Sequence, residues 1–422
     1  MARYRAVNGI KDGTITPPPS KSLTHRAFVC AALADGESRI DNALYSGDTL
    51  ATMDCLSTLG ARLAADGGSL KATGGLRAPE TDRPLDCGSS ASALRFLIPV
   101  ASAFDKPVAF KCSEQLYRRP LGPYAGLIGQ DLSIAASGDG PAFGLITTKG
   151  GMKSGKYHMP GDVSSQFISG LMFALPLLDG DSEIVLTTGL ESKPYVDMTV
   201  DVLARFGITI NAAGNGAFFI KGGQRYRPAC YAVENDYSQA AFFLCAAALG
   251  AGVKCNALNP EGAQGDKYIL NILKQAGANV GFGANGIVSV TGSNLKAIEA
   301  DARQIPDLIP PVTVLCCFCE GTSRVINAGR LRLKESDRLR ALASEFGRLG
   351  AKIKENADSL EITGVKQLKG GYADSHGDHR IAMALAAAAV RCESPVVING
   401  WECVDKSYPQ FWDHFNWTDT ED

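Results

Sequence analysis

Several short runs in this chain gather the residue types that hold small anions. Pro19-Ser20-Lys21-Ser22-Leu23-Thr24-His25-Arg26 stands immediately before an apolar stretch. Ser and Thr there can cap free backbone amides, a helix start favours negative charge, and Lys21 and Arg26 add cations. This is phosphate-binding chemistry without a Walker motif; an ordinary N-cap beside solvated cations is the plainer alternative. Gly161-Asp162-Val163-Ser164-Ser165-Gln166-Phe167 repeats the arrangement before another apolar run. Its hydroxyls and amide can meet a phosphate or a polyol, or simply cap a helix. Ser192-Lys193-Pro194-Tyr195 adds donors, with Pro194 restricting the backbone.

Cations recur in Gln115-Leu116-Tyr117-Arg118-Arg119-Pro120, in Arg332-Leu333-Lys334-Glu335-Ser336-Asp337-Arg338, in Asp378-His379-Arg380 and in Cys403-Val404-Asp405-Lys406-Ser407-Tyr408-Pro409. Arginine forks match phosphate or carboxylate oxygens and lysines supply point charges, so the set suits a compact polyanionic substrate. Beside them lie two acid/base candidates, Asp307 in Gln304-Ile305-Pro306-Asp307 and Glu335 next to Lys334. A carboxylate can take a hydroxyl proton or relay one to carbon when geometry and pKa suit. Each also has a simpler reading: Asp307 as a turn residue, and Glu335 as an exposed i,i+3 partner of Arg338. His379 fits structural hydrogen bonding as readily as a base. There is no HExxH, no paired CxxC and no two-carboxylate metal constellation, so no metal is expected.

The elements that must position these residues form a repeat. An apolar helix-like run, a short turn and a branched strand-like run recur six times, at AFVCAALADGESRIDN from Ala27, LRFLIPVASAFDKPVAF from Leu94, QFISGLMFALPLLDGDSEIVL from Gln166, QAAFFLCAAALGAGVKC from Gln239, PVTVLCCFCEGTSRVIN from Pro311 and RIAMALAAAAVRCESPVVING from Arg380. Their turns, near Gly36, Asp105, Gly180, Gly250, Gly321 and Glu393, are 69, 75, 70, 71 and 72 residues apart. A second punctuation, helix then Gly then strand, falls around Gly60, Gly129, Gly207, Gly277 and Gly350. Glycine there suits the left-handed end of a helix. The pattern predicts an α/β chain of six similar units, each of two helices and several strands, with the first helix of each unit enclosed because it is apolar nearly all round.

Composition narrows the classes. With 422 residues, 45% hydrophobic and 20% charged, the chain can bury a large core and exceeds one small module. Its 42 Lys plus Arg against 44 Asp plus Glu give a net charge of -2, which favours no nucleic acid and no anionic membrane as partner. No apolar run approaches the ~20 residues of a membrane span, and no apolar leader follows the basic start, so a cytoplasmic address is expected. The 12 Cys sit largely inside apolar runs such as Leu315-Cys316-Cys317-Phe318-Cys319, where a reduced thiol acts as a small hydrophobe. Polar crossings near Thr14 to Ser20 and Gly222 to Cys230 are candidate domain boundaries.

From Lys21-Ser22 to Lys406 the chain resembles the enolpyruvyl transferase family, in its shikimate 3-phosphate-using branch. The resemblance rests on Pro19-Ser20-Lys21-Ser22 with Arg26, Val163-Ser164-Ser165-Gln166-Phe167, Ser192-Lys193-Pro194-Tyr195, Leu333-Lys334-Glu335-Ser336-Asp337-Arg338 and Asp378-His379-Arg380, in the family's order. It implies a two-domain inside-out α/β barrel built from six βαβαββ-like repeats, three per domain. Residues 17–231 would form one domain and 1–16 with 232–422 the other, and the active site would lie in the cleft where they close. It implies transfer of the enolpyruvyl group of phosphoenolpyruvate to the 5-hydroxyl of shikimate 3-phosphate with release of phosphate, a step in aromatic amino-acid biosynthesis, without a cofactor. A monomer is expected.

By the same resemblance, Ser22, Arg26, Ser164, Ser165, Gln166, Ser192, Tyr195, Asp307 and Lys334 would bind shikimate 3-phosphate. Lys21, Ala91, Arg119, Gln166, Arg338, Arg380 and Lys406 would bind phosphoenolpyruvate. Asp307 would take the hydroxyl proton, Glu335 would manage the methylene carbon, and Lys21 would assist the leaving phosphate. The chain departs from the family pattern at Gly88-Ser89-Ser90-Ala91-Ser92, where Asn and a second Gly are usual, and at Arg330, where relatives carry Asn. The Ala91 methyl should narrow the space in which glyphosate competes with phosphoenolpyruvate, so reduced glyphosate sensitivity is expected. The related transferase acting on UDP-N-acetylglucosamine is the nearest alternative. It carries a Cys in the loop before Arg-Pro, whereas here Glu114 holds the comparable place and Cys112 lies two residues earlier.

Overall fold

Each apolar block folds as a helix that hands over to a strand through its turn. The computed structural model describes residues 3–79, 83–129, 133–135, 143–214 and 216–421. Its α-helices are α1 (Lys21–Leu33), α2 (Gly47–Thr58), α3 (Ala91–Ser102), α4 (Glu114–Tyr117), α5 (Ser165–Ala174), α6 (Lys193–Arg205), α7 (Tyr237–Ala248), α8 (Ile269–Gln275), α9 (Ile309–Cys316), α10 (Arg338–Arg348) and α11 (His379–Ala388). The six apolar blocks are α1, α3, α5, α7, α9 and α11. Every position of α7, α9 and α11 is buried, as an all-round apolar surface requires.

Chain contacts divide the protein into two compact units, Pro19–Glu234 (the N unit) and Met1–Pro18 with Asn235–Asp422 (the C unit). Each has its own buried apolar cluster. In the N unit the described residues form three four-stranded sheets, ordered Cys230–Ala232, Glu37–Asp41, Ser69–Thr73, Arg62–Asp66; Leu85–Asp86, Ala109–Ser113, Phe143–Thr147, Ser133–Ala135; and Lys156–Met159, Ser182–Leu186, Ala217–Ile220, Ile210–Ala212. In each, the first pair is parallel and the next two antiparallel. For Leu85–Asp86 with Ala109–Ser113 and Lys156–Met159 with Ser182–Leu186, the helix between the strands (α3, α5) makes the crossover that a parallel pair needs, whereas Glu37–Asp41 pairs with Cys230–Ala232 from the far end of the unit.

The C unit repeats the scheme. Its sheets are ordered Gly13–Ile15, Val253–Cys255, Val288–Thr291, Asn279–Phe282; Glu299–Asp301, Thr322–Ile326, Leu360–Thr363, Lys352–Glu355; and Gly371–Asp374, Val396–Asn399, Arg3–Ile10, Phe415–Glu421. The N-terminal strand Arg3–Ile10 thus lies antiparallel between two strands from the end of the chain.

The helix-Gly-strand punctuation is realised at Gly60, Gly207, Gly277 and Gly350, whose φ values of 102°, 80°, 90° and 96° let the chain leave α2, α6, α8 and α10 directly for a strand. Around Gly129 it is not. There Gly122–Tyr124 makes only a 3-10 turn, because Pro120, Gly122, Pro123 and Gly126 interrupt any longer helix. Residues 130–132 of that expected repeat lie outside the described residues. All 12 cysteines are free thiols, and Cys316, Cys317 and Cys319 are buried in and after α9. Among the described residues no helix is long and apolar enough to cross a membrane.

Candidate active site

Serines start the inner helices of the N unit. Ser20, Ser90 and Ser164 cap α1, α3 and α5, their hydroxyls accepting from the amides of Leu23, Ala93 and Gln166 at 3.4, 3.3 and 3.3 Å. These helices are buried except at a few positions, and apart from Leu33 the exceptions are polar side chains of the first turn: Lys21 and Ser22 on α1, Ser92 on α3 and Gln166 on α5. Apolar packing thus leaves the first turns as the places where a polar group can meet a ligand. Ala91 and Ser165 open α3 and α5 and are themselves buried.

The Lys21 ammonium sits 2.7 Å from Asp48 Oδ2, in the first turn of α2. Arg26 is buried and donates through Nε to Thr199 Oγ1 (2.8 Å), through NH1 to the Ser22 carbonyl (2.7 Å) and through NH2 to the Tyr195 carbonyl (2.8 Å). It ties the start of α1 to α6, and burial lowers its pKa to about 10. Ser192, ahead of α6, holds a left-handed backbone (φ 53°, ψ 36°) that a residue with a Cβ rarely adopts, and it is buried. Such backbone strain concentrates at functional positions.

Gln166 is oriented by its neighbours. Arg95 NH1 donates to its Oε1 at 2.9 Å, and its Nε2 donates to Ser92 Oγ at 3.0 Å. Arg95 NH2 also reaches the Pro120 carbonyl at 3.2 Å, next to Arg119. The guanidinium lies 4.7 Å from the centre of the Phe167 ring, where a cation is attracted. Close approach of α5 to α3 makes this possible: a Cβ on Gly170 would come within 2.4 Å of the Arg95 carbonyl. Arg119 lines a cavity of about 330 Å3 with Tyr117, Leu121, Gly122, Ala125, Ile128 and Gly129.

In the C unit the acid/base candidates and the arginines converge. Arg338, the first residue of α10, is 1% exposed. It meets Asp378 through Nε (2.8 Å), Glu335 through NH2 (2.7 Å) and Asp307 through NH1 (3.1 Å). Arg380 holds the other Asp307 oxygen at 3.0 Å and the Asp307 carbonyl at 3.1 Å, while Lys334 Nζ lies 3.9 Å from Asp307. Lys406 Nζ stands 3.8 Å from Glu335 Oε1. Burial by itself would raise the Asp307 pKa, but Arg380, Lys334 and Arg338 outweigh it and hold the carboxyl well below the usual range. Burial pushes Lys334 down to about 8 against the pull of Asp307. The i,i+3 pair of Glu335 and Arg338 exists, but it is inside this cluster rather than exposed.

The structure therefore groups Lys21, Ser22, Arg26 and Tyr195 around the start of α1, and Gln166 with Ser164 around Arg95. It groups Asp307, Lys334, Glu335, Arg338, Arg380 and Lys406 in the C unit. Arg119 adjoins Pro120, whose carbonyl accepts from Arg95 of the Gln166 group. Arg332 faces Asp337 and Glu355 instead and is a structural cation. Arg330 donates to the Arg303 carbonyl at 2.5 Å. His379 is buried, with Nδ1 3.8 Å from Asp378. Sequence reasoning missed Asp48, Arg95 and the dual role of Asp378, which binds Arg338 and caps α11 through the Arg380 amide at 2.9 Å. Asp48 lies 27 residues from Lys21, and nothing local in the sequence links the two. Arg95 carried one signal, a cation on an otherwise apolar helix.

A sequence model of EPSP synthase (3-phosphoshikimate 1-carboxyvinyltransferase) matches residues 8–415. A 3-phosphoshikimate 1-carboxyvinyltransferase of Clostridium acetobutylicum is 47% identical over 403 residues, covering 95% of this chain and 93% of the relative. One from Clostridium beijerinckii is 43% identical over 424 residues, covering 98% and 97%. The solved EPSP synthase of Acinetobacter baumannii superposes with a TM-score of 0.77 at 26% identity, covering both chains completely. A match running from the N-terminal strand to the last one, over all of the helix starts just described, makes this chain a member of the EPSP synthase family.

Proposed function

We propose that the protein transfers the enolpyruvyl group of phosphoenolpyruvate to the 5-hydroxyl of shikimate 3-phosphate and releases inorganic phosphate. The observation that carries the reading is the partly exposed Asp307 carboxylate held between Arg338, Arg380 and Lys334, with Glu335 on the same Arg338. In this state Asp307 is a weak base, because three cations favour its charged form. Anionic substrates that draw Arg338, Arg380 and Lys334 toward themselves relieve that hold. Asp307 then becomes a competent acceptor only when substrate is present.

In this reading Glu335 delivers a proton to the methylene carbon of phosphoenolpyruvate, leaving cationic character at C2. The 5-hydroxyl oxygen adds there and Asp307 takes its proton. The tetrahedral adduct then expels phosphate, with Lys21 beside the leaving oxygen, while Glu335 recovers a proton from the methyl group and restores the double bond. Arg119, Arg338, Arg380 and Lys406 hold the phosphate and carboxylate of phosphoenolpyruvate, next to Ala91 and Gln166. Ser22, Ser164, Ser165, Gln166, Ser192, Tyr195 and Lys334 hold shikimate 3-phosphate, and Arg26 keeps the Ser22 and Tyr195 segments together. Each unit is, in this reading, a domain of the inside-out α/β barrel type, and the reacting pair must be kept from water. The repeated sheets around buried helices support that arrangement.

Phosphate release with shikimate 3-phosphate and phosphoenolpyruvate tests the reading; turnover is expected, and its absence refutes it. Replacing the acceptor by UDP-N-acetylglucosamine should give none. Cys112, the thiol nearest the arginine loop, is 1% exposed and raised to about 12 by burial, and Glu114 pairs with Arg118. Neither offers the reactive thiol of that related transferase.

A further inference from the structure

The N-terminal strand Arg3–Ile10 carries a cation that the mechanism above does not use. Arg5 is 4% exposed. On one side of it Asp419 is the directly opposite residue of Phe415–Glu421, and its carboxylate accepts from Arg5 Nε at 3.0 Å and from NH2 at 3.3 Å. Trp417, two residues along the same strand, shares that face because side chains alternate, and the centre of its ring lies 3.5 Å from the guanidinium. On the other side runs Val396–Asn399, with Ile398 opposite Arg5. The chain leaves that strand through Gly400 at a φ of 65° and at once sets the Trp401 ring 3.3 Å from the guanidinium. A flat, delocalised cation is the one that suits packing against two indole rings.

Trp401 opens a 3-10 run of six residues, Trp401–Lys406, that ends on Lys406. Runs of this helix type longer than about 3–4 residues are uncommon because their hydrogen bonds are poor, so the path of this one depends on what it rests against. At its start it rests on the Arg5 stack and on Trp412, whose Nε1 donates to the Trp401 carbonyl at 3.3 Å, while the Gly400 carbonyl accepts from Ser375 Oγ at 2.9 Å. In its middle Val404 is buried, and the run packs on α11. At a rise of about 2.0 Å per residue its two ends are roughly 10 Å apart. At the far end Lys406 Nζ stands 3.8 Å from Glu335 Oε1.

We propose that Arg5 is a positioning residue for phosphoenolpyruvate: by seating Trp401 it fixes the 3-10 run that presents Lys406 to that anion. Lysine holds an anion as a point charge on a flexible stem, so the place of its backbone decides where the ammonium can reach. With Trp401 unseated, the run can turn about the buried Val404, and the Lys406 end moves away from Glu335. The inference rests on the reading of Lys406 as a phosphoenolpyruvate ligand.

The test is steady-state kinetics on the full chain carrying Arg5→Leu, Trp401→Leu, Lys406→Met, or Arg5→Leu together with Lys406→Met. Arg5→Leu and Trp401→Leu should each raise the KM for phosphoenolpyruvate about tenfold, with kcat and the KM for shikimate 3-phosphate within about twofold of native. Beside Lys406→Met, Arg5→Leu should add less than about twofold, because a residue that acts through Lys406 then has nothing to act on. A merely structural role would keep its full effect in both backgrounds and move both KM values. An unchanged phosphoenolpyruvate KM in Arg5→Leu, an equal rise for both substrates, or an undiminished effect beside Lys406→Met overturns the proposal. If Arg5→Leu does not fold, Arg5→Lys takes its place, keeping the charge near Asp419 but not the flat stack; a rise of about threefold is then expected, and the same outcomes overturn the proposal. Lys406→Met without effect on the phosphoenolpyruvate KM, or absence of turnover in the native enzyme, would instead refute the functional reading, so the two failures are distinguishable.

Discussion

Removing Asp378 should weaken the C unit and disturb the proton-handling groups through one residue. Its carboxylate makes three kinds of bond, one of them accepted from the Ser336 hydroxyl at 3.1 Å. It caps α11 at the Arg380 amide (2.9 Å), and it takes Arg338 Nε at 2.8 Å and NH2 at 3.3 Å, with neither side chain above 1% exposed. Loss of a cap costs about 1 kcal/mol. Breaking a buried ion pair from one side costs about 3–5 kcal/mol, toward the lower end here because Arg338 keeps Glu335 and Asp307. Asp378→Ala should therefore lose roughly 3–5 kcal/mol, whereas Asp378→Asn, which caps as well but lacks the charge, should lose roughly 2–3 kcal/mol. The chain offers a convenient probe, since its 3 tryptophans, Trp401, Trp412 and Trp417, all lie in the C unit. Followed by tryptophan fluorescence in urea, a slope of about 3 kcal/mol/M turns the alanine loss into a midpoint drop of about 1–1.7 M. An alanine midpoint within about 0.3 M of the native one would show that Asp378 is not the anchor of Arg338. With Asp378 gone, Arg338 should also lean harder on Asp307 and Glu335, so kcat should fall even where the variant is fully folded.

Further predictions concern single groups. Glu335→Gln should lower kcat by about 10²–10⁴-fold, the worth of a positioned acid/base group, while the KM for phosphoenolpyruvate changes by only a few-fold; an unchanged kcat removes Glu335 from the chemistry. Lys334, near pKa 8, should lose its charge as pH rises above that value, so KM for shikimate 3-phosphate should climb there and stay flat in Lys334→Arg. Because the folded pKa lies below the unfolded one, the unfolded chain holds this proton more tightly, and for this group stability rises rather than falls between pH 8 and the ordinary lysine value of 10.5; identical alkaline limbs in both enzymes would refute the assignment. If the Ala91 methyl crowds the phosphoenolpyruvate pocket by about 1–3 kcal/mol, Ala91→Gly should lower the Ki of glyphosate by about 5- to 150-fold, and equal inhibition would show that the methyl is not the obstacle. Ser164→Asp should keep the α5 cap and stability within ~0.5 kcal/mol, yet weaken shikimate 3-phosphate binding by about 10²-fold or more through repulsion; binding within a few-fold of native would place the phosphate elsewhere.

The parts of the fold that local physics specifies were readable in the chain. An all-round apolar run such as PVTVLCCFC must be enclosed, and α9 is; a Gly after Phe206 or Leu349 must end a helix, and Gly207 and Gly350 do so with positive φ. The repeat around Gly129 misled because its periodicity survives in the sequence while Pro120 and Pro123 forbid the helix. In the site, residues at helix starts were legible since caps and cations there are sequence-local. The partners that set their chemistry were not. Lys21 with Asp48, Gln166 with Arg95 and Arg338 with Asp378 are 27, 71 and 40 residues apart, and only the packing of one helix on another brings them together.

The helix starts also differ in kind between the units, and the difference bears on how each handles anions. Ser20, Ser90 and Ser164 cap α1, α3 and α5 with neutral hydroxyls, leaving the positive helix ends uncancelled. In the C unit the caps of α7 and α11 are the carboxylates of Asp236 and Asp378, and Asp307 precedes α9. Those negative charges offset the helix dipoles, so that half must draw its attraction for anions from side chains. It carries Lys334, Arg338, Arg380 and Lys406 within one network of carboxylates, whereas the N unit leaves a few polar first-turn residues at its uncancelled helix ends. The N unit thus presents helix ends capped by neutral hydroxyls, an arrangement that would suit the phosphate assigned to it in the proposed reaction with little rearrangement. The C unit is a charge-balanced network whose cations must be released from Asp307 and Glu335 before they can serve a ligand. In the proposed mechanism, binding of an anion and activation of the proton acceptor would therefore be the same event in the C unit, because each cation that turned to the ligand would no longer hold down Asp307.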